Sequence, residues 1–229
     1  MTLSIIMPVL NEVADIEDAL RALAPYRARG AEVIVVDGGS TDDTVERARP
    51  LADQVLTAPR GRAAQMNAGA AAARGNVLLF LHADTRLPKD ADRMIADGLA
   101  RSGRLWGRFD VRFDDGGWLR VVALMMNIRS RFTGISTGDQ SLFVTRSAFD
   151  DVGGFPQIAL MEDVALSARL KQVSRPVALR ARVTASGRRW HKHGVWRTIL
   201  LMWRLRLAYF FGADPKLLAR HYGYIPIER

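Results

Sequence analysis

Residues 77–85 read Val77-Leu78-Leu79-Phe80-Leu81-His82-Ala83-Asp84-Thr85. Five apolar residues in a row, bounded by Gly75-Asn76 before and Pro88 after, have the length of a strand, and their unbroken hydrophobicity predicts burial on both faces of a parallel sheet. Such sheets bind ligands beyond the carboxyl ends of their strands, and here a carboxylate stands at that end. Asp84 is therefore a candidate ligand for a divalent cation, because Mn2+ or Mg2+ takes hard oxygens and shares its shell with phosphate and water. A cap for the turn that follows is an equally good reading of the same residue.

Outward from this strand, the first half of the chain alternates apolar runs with helical patterns, the signature of βαβ units. Residues 3–9 read as a first strand, and Ile16, Ala19, Leu20 and Leu23 give the next segment a helical apolar stripe. Residues 32–36 form a second strand, followed by the tight loop Asp37-Gly38-Gly39-Ser40, with Ser40 and Asp43 spaced as a capping box. A short strand at 54–56 and an alanine-rich helix at 62–74, ending at Gly75 as its C-cap, lead to 77–81. A helix is expected from Pro88.

Alternation at 105–113 predicts a half-buried strand, and a helix follows at 119–131. The polar loop 133–140 suits a mobile active-site segment. Residues 141–145 return as a strand, Gly153-Gly154 turns the chain, and a helix starts near Glu162-Asp163. No repeat or low-complexity linker interrupts the chain, so one domain over 1–190 and a basic, aromatic helical extension over 191–229 are expected.

With 229 residues, 48% of them hydrophobic, the chain can bury one substantial core. It has no cysteine, which removes any disulfide framework or thiolate metal site and suits the cytoplasm. Residues 1–9 lack a basic start and flow into Asn11-Glu12, so they read as a strand and not as a leader. The net charge of +9 favours polyanions, phosphorylated substrates or an anionic lipid surface. Arg180, Arg182, Arg188, Arg189, Lys192, Arg197, Arg204 and Arg206 crowd the last quarter among Trp190, Trp196 and Trp203. That interleaving suits a membrane surface better than base readout, so no nucleic-acid partner is expected; a solvated basic face is the plainer reading. The helix at 195–211 carries three arginines and is a poor transmembrane span. It lies on the inner face of a membrane, docks on its own core, or packs against a second subunit.

Glu12, Asp37 and Asp84 follow strands one, two and four, whose loops open on one edge of a doubly wound sheet, so they should converge. Asp37 can accept hydrogen bonds from a ribose or base, or stabilise its own turn. Arg62 opens a helix, where the macrodipole gives a cation no reason to sit; contact with a bound anion would explain it, as would simple exposure. Glu162-Asp163 suits the positive end of a helix, which on residue physics alone is the better reading, or supplies a general base. His191 and His193 read as surface residues.

Together Pro8-Val9-Leu10-Asn11-Glu12, Val36-Asp37-Gly38-Gly39-Ser40-Thr41-Asp42, Leu81-His82-Ala83-Asp84-Thr85 and Glu162-Asp163 resemble the nucleotide-diphospho-sugar glycosyltransferases of family 2. The likeness runs from Leu3 to about Trp190. Gly61-Arg62-Ala63-Ala64-Gln65-Met66-Asn67 and Gly138-Asp139-Gln140 resemble a compact bacterial subgroup. The resemblance implies a Rossmann-like α/β fold of the GT-A type, a mostly parallel sheet flanked by helices, with amphipathic helices at the C-terminus. It implies a UDP- or GDP-sugar donor held by Pro8, Asn11, Glu12, Asp37, Arg62, Arg189 and Trp190, with Asp84 on a Mn2+ or Mg2+ ion. Asp163 would be the base that deprotonates an acceptor hydroxyl for inversion, and Glu162, Asp139 and Gln140 would line the acceptor side. The acceptor is left open and includes a lipid-linked one. Two departures stand out: His82 replaces the first acid of the metal motif, and Gly38 replaces an Asp common in relatives. A nucleotide-binding partner without turnover is the alternative that His82 suggests. A sugar-phosphate nucleotidyltransferase shares the sheet, but Asn11-Glu12 is not its glycine-rich loop.

Overall fold

The computed structural model describes residues 1–188, 190 and 194–223. An eight-stranded mixed sheet, in the order β3-β2-β1-β4-β7-β6-β8-β5, runs through it. The strands are β1 (Leu3–Val9), β2 (Glu32–Asp37), β3 (Gln54–Thr57), β4 (Val77–Phe80), β5 (Thr85–Arg86), β6 (Trp106–Phe113), β7 (Phe143–Thr145) and β8 (Val177–Ala185). The helices are α1 (Ile16–Arg21), α2 (Ala24–Arg27), α3 (Thr44–Ala48), α4 (Arg62–Ala72), α5 (Ala91–Ser102), α6 (Trp118–Thr133), α7 (Arg146–Asp151), α8 (Glu162–Val173), α9 (Val195–Phe210) and α10 (Pro215–His221).

β3, β2, β1 and β4 are parallel, the doubly wound half expected of βαβ units. β7 then pairs antiparallel with both β4 and β6. Successive side chains on the inner strands point to opposite faces, and both faces are covered, so both sets are apolar. Ile5, Met7, Val33, Val35 and Leu79 meet α1 and α5 through Ile16, Leu20 and Ile95. Ile6, Ile34, Val36, Leu78 and Phe80 meet α4, α7 and α8 through Met66, Phe149 and Leu166. A third, smaller cluster of Leu160, Met161, Leu205 and Leu218 joins α9 and α10 to the loop before α8.

Several expectations change. The capping box at Ser40 does not form: α3 starts at Thr44 without a side-chain cap, and the Ser40 hydroxyl donates to Asp37 instead (2.5 Å). α4 ends at Ala72 and the chain is already extended at Ala73, so Gly75 is not its C-cap. Residues after Asp84 first pair as β5 against β8, and α5 begins only at Ala91, past Pro88. β6 is almost wholly buried because α6 covers the face expected to meet solvent. β8 and α7 were not expected. Alternating arginines make β8 read as a basic stretch, yet it pairs along β6 with a bulge between Phe109 and Asp110.

The loop expected to be mobile is tied down. Ser136 N–H donates to Ser167 (3.1 Å), Gly138 N–H to Asp163 (2.7 Å), and fully buried Gln140 donates to Asn127 (3.4 Å). Asn127 is the anchor. β7 pairs with β6 only at Trp106 and Gly107, and beyond them the Asn127 carboxamide takes a strand's place: it accepts from Val111 N–H (2.8 Å) and donates to Val111 C=O (2.9 Å). Asn127→Ala would leave both backbone groups buried without partners. We expect a loss of about 2–4 kcal/mol in urea unfolding, since each such group costs about 1–3 kcal/mol.

Candidate active site

The carboxyl ends of β1 and β4 and the N-termini of α4 and α8 surround two adjoining cavities. The smaller, about 260 Å3, is lined by Pro8, Glu12, Gln65 and Ala83 among others. The larger, about 730 Å3, lies toward α6 and α9 and includes Asp139, Asp163 and Trp190. Arg62, His82, Asp84 and Glu162 line both and form the wall between them. Residues as far apart in the sequence as Arg62 and Glu162 thus meet at one sheet edge.

Each charged group has a readable setting. Arg62 opens α4 and its side chain reaches solvent; crowding by protein works against its charge, but Glu162, Tyr222, Asp139 and Asp163 outweigh that penalty and hold its pKa above the ordinary value. His82 is pushed down, first by burial and then by Arg62, and so is neutral at physiological pH. Asp139 is pushed up, chiefly by burial, while His82 opposes. Glu162 is sealed from solvent at 5% exposure; burial, then Asp163, push it up to about 7. Asp163 accepts two backbone N–H bonds, from Gly138 and from Val164 (2.7 Å each), which fix its carboxylate at the cavity wall.

Asp84 sits in a four-residue turn closed by Thr85 N–H to His82 C=O (3.1 Å). Its carboxylate does not cap that turn and, among the described residues, receives only the Thr85 hydroxyl (3.2 Å). Asp84 also pushes up Glu12, where it is second to burial, so two carboxylates face each other across the smaller cavity. No three His, Asp or Glu side chains form a self-sufficient cation cage among the described residues.

Other expected residues act differently. The Asp37 carboxylate is buried and spent on its own turn, accepting from Gly39 N–H, Ser40 N–H and Ser40 Oγ. Asn11, at φ 56, accepts from Thr41 N–H (2.8 Å) and joins the β1 loop to the β2 loop. Gln140 supports the loop from beneath and lines neither cavity. Trp190 packs edge-on against Phe113 at 5.6 Å. Arg189, His191 and His193 lie outside the described residues.

Gln65 was missed. Its Nε2 donates to the carbonyls of Val9 and Val36 (2.8 Å each), bridging the ends of β1 and β2 beneath the smaller cavity. A buried glutamine on an otherwise alanine-rich helix was the available signal. Gly38 now has a reason as well, because a Cβ there would stand 3.0 Å from the Gln65 side chain. Gly138 likewise makes room for His82, whose ring would lie 2.5 Å from an added Cβ.

α6 and α9 present apolar stripes outward. Trp118, Val121, Met125, Ile128 and Phe132 are exposed on α6, and Trp196, Leu200, Trp203, Leu207 and Phe210 on α9. Trp118 and Trp196 touch at 5.5 Å, so the two stripes are neighbours. No helix of the described residues is long and apolar enough to cross a membrane.

The pH dependence of stability follows from Glu162. Its folded pKa lies above its unfolded one, so the folded state binds the extra proton and stability falls as pH rises from about 4.5 toward 7. That displacement is worth at most about 3 kcal/mol. Glu162→Gln should flatten the decline in urea unfolding between pH 5 and pH 8 and be the more stable chain at pH 8.

The solved structures with this fold include S. aureus TarS 1–349 in complex with UDP-GlcNAc, at TM-score 0.67 and 22% identity over 81% of this chain and 58% of that one. They also include glucosyl-3-phosphoglycerate synthase from Mycobacterium tuberculosis in complex with Mn2+, UDP and phosphoglyceric acid, at TM-score 0.59 and 20% identity over 80% and 69%. Among curated proteins, an undecaprenyl-phosphate 4-deoxy-4-formamido-L-arabinose transferase of Pseudomonas aeruginosa is 26% identical over 148 residues, 59% of this chain and 44% of its own length. A PGL/p-HBAD biosynthesis glycosyltransferase of Mycobacterium bovis is 34% identical over 114 residues, 47% and 42%. The chain thus spans under half the length of these two relatives. The profile of glycosyl transferase family 2 matches residues 4–155, and the chain belongs to that family.

Proposed function

We propose that this chain is an inverting glycosyltransferase that moves a sugar from a UDP- or GDP-sugar to an acceptor hydroxyl. The observation that carries this reading is the shared wall of Arg62, His82, Asp84 and Glu162 between a small polar cavity and a large apolar one. The smaller cavity takes the donor's nucleotide diphosphate, with Pro8 and Glu12 beside it and Asp37 and Asn11 holding its loops. The larger takes the acceptor, beside Asp139 and Asp163.

In the transfer, the acceptor oxygen bonds to the anomeric carbon while the bond from that carbon to the diphosphate oxygen breaks. The electron pair leaves with the diphosphate, and the acceptor proton passes to Asp163. Two backbone N–H bonds orient that carboxylate for the proton. Arg62 faces the growing negative charge of the leaving group. Asp84, with Glu12 across the cavity, would hold a Mn2+ or Mg2+ ion jointly with the donor's phosphates, a mode in which the protein supplies one or two carboxylates. When bound, that ion would neutralise phosphate charge. Neutral His82 gives the site an uncharged edge at the position where the resemblance implies an acid.

The exposed stripes on α6 and α9 support action at the inner face of a membrane on a lipid-linked acceptor, in keeping with the lipid phosphate named in the Pseudomonas relative. The contact would draw on both parts of the chain, α6 from the domain over 1–190 and α9 from the extension over 191–229.

Asp163→Asn is expected to lower kcat by roughly 10²–10⁴-fold while UDP still raises the melting temperature. An unchanged rate would reject Asp163 as the base, and UDP binding without transfer by the native chain would favour the non-catalytic reading that His82 suggests. Asp84→Ala should lose the Mn2+-dependent part of stabilisation by UDP. The native chain should co-sediment with anionic vesicles, and polar replacement of Trp196, Trp203 and Phe210 should abolish this; an unchanged pellet, or a shift in oligomeric state instead, would count against the membrane contact.

A further inference from the structure

Two arginines line the larger cavity, Arg129 from α6 and Arg206 from α9. A guanidinium stays charged and carries five donors. These two leave donors unspent: Nε and Nη2 of Arg129 and Nε of Arg206 are shut off from solvent and have no hydrogen-bond partner among the described residues. Several other arginines among the described residues have partners. Arg108 and Arg131 share Asp110, and Arg27 holds Asp53. Burial and then Arg206 pull Arg129 down to about 10, the mark of two cations held close in a poorly solvated place. Asp163 opposes them electrostatically, but its oxygens already accept from Gly138 and Val164. Arg129 with two unspent donors and Arg206 with one suit a dianion once they turn toward the cavity, since phosphate oxygens match guanidinium geometry.

The wall beside this pair is apolar. Trp118, Met125, Trp196, Ile199, Met202 and Trp203 line it, between the two exposed stripes. Free phosphate would satisfy the arginines and leave this wall uncovered; an uncharged lipid would do the reverse. We propose that Arg129 and Arg206 together bind the phosphate of a long-chain phosphate monoester whose hydrocarbon lies along the tryptophan and methionine wall. As a binding site this stands apart from the transferase reading, whose acceptor gives Asp163 a hydroxyl proton that a phosphate dianion lacks.

Four of the chain's five tryptophans, Trp118, Trp190, Trp196 and Trp203, line the cavity, so intrinsic fluorescence reports its filling. The whole chain, without donor, is titrated with farnesyl phosphate, with farnesol and with inorganic phosphate. Farnesyl phosphate should bind at least tenfold more tightly than either of the others. In R129Q/R206Q its affinity should fall to that of farnesol, which should itself be unchanged. Equal affinity of the native chain for the two lipids, or a phosphate preference that survives the double substitution, would overturn the proposal. Inorganic phosphate binding as tightly as farnesyl phosphate would overturn its apolar half. Should the double variant not fold, R129K keeps the charge without the planar fork, and it should lose the preference several-fold; an unchanged preference there also counts against the site. UDP binding is read separately by thermal shift, so failure of one reading leaves the other standing.

Discussion

Arg62 among its carboxylates is the interaction on which the site depends. Crowding by protein opposes the cation, which still reaches solvent, and Glu162, Asp139 and Asp163 outweigh that opposition. In return, Arg62 lowers the cost of crowding acids at one sheet edge, where Glu162 alone is raised toward neutrality. Without that cation, three carboxylates would repel one another in a low dielectric, and protonation would relieve the strain. The fold sets up the arrangement by placing α4 and α8 with their N-termini at the same edge as the ends of β1 and β4. Gln65 locks the first of these, since a single carboxamide clasps the carbonyls of two strands one turn beyond Arg62.

The antiparallel half of the sheet supplies the other wall. β6 runs past its short neighbour β7, and Asn127 takes over as a surrogate strand, which fixes α6 against β6. The same asparagine reaches Gln140, and the loop from Ser136 to Gln140 in turn presents Asp139 and steadies Asp163 through Gly138. A helix that covers one sheet face therefore also sets the depth of the larger cavity. The opposite side of that helix, with α9 beside it, is left apolar and exposed. An apolar surface of this extent on a chain of net charge +9 is the feature that the proposed lipid chemistry accounts for.

Much of the parallel half was legible in advance. Strands at Leu3–Val9, Glu32–Asp37 and Val77–Phe80 announce themselves because both faces are covered and most of their residues are therefore apolar. Their order then brings Glu12 and Asp84 together without further information. β8 was not legible: its arginines alternate with apolar residues, and only pairing with β6 shows which set is inward. Ser40 satisfied a capping pattern yet bonds Asp37, because the competing carboxylate is closer in the folded loop. Gln140, which the resemblance places on the acceptor side, is fully buried and donates to Asn127.

The sequence by itself determined the family, the parallel half of the sheet and the set of acids at its edge, since these follow from local hydrophobic runs and motif spacing. Only the tertiary structure decided which of those acids share a wall, that Asp37 is spent on its own turn while Asp84 is not, and that Gln65 lines the smaller cavity while Arg129 and Arg206 line the larger. The physical reason is that satisfaction of a donor or a charge is a property of distance between remote segments. A chain shows where its polar groups are, but not which of them will be left without a partner once the strands have closed.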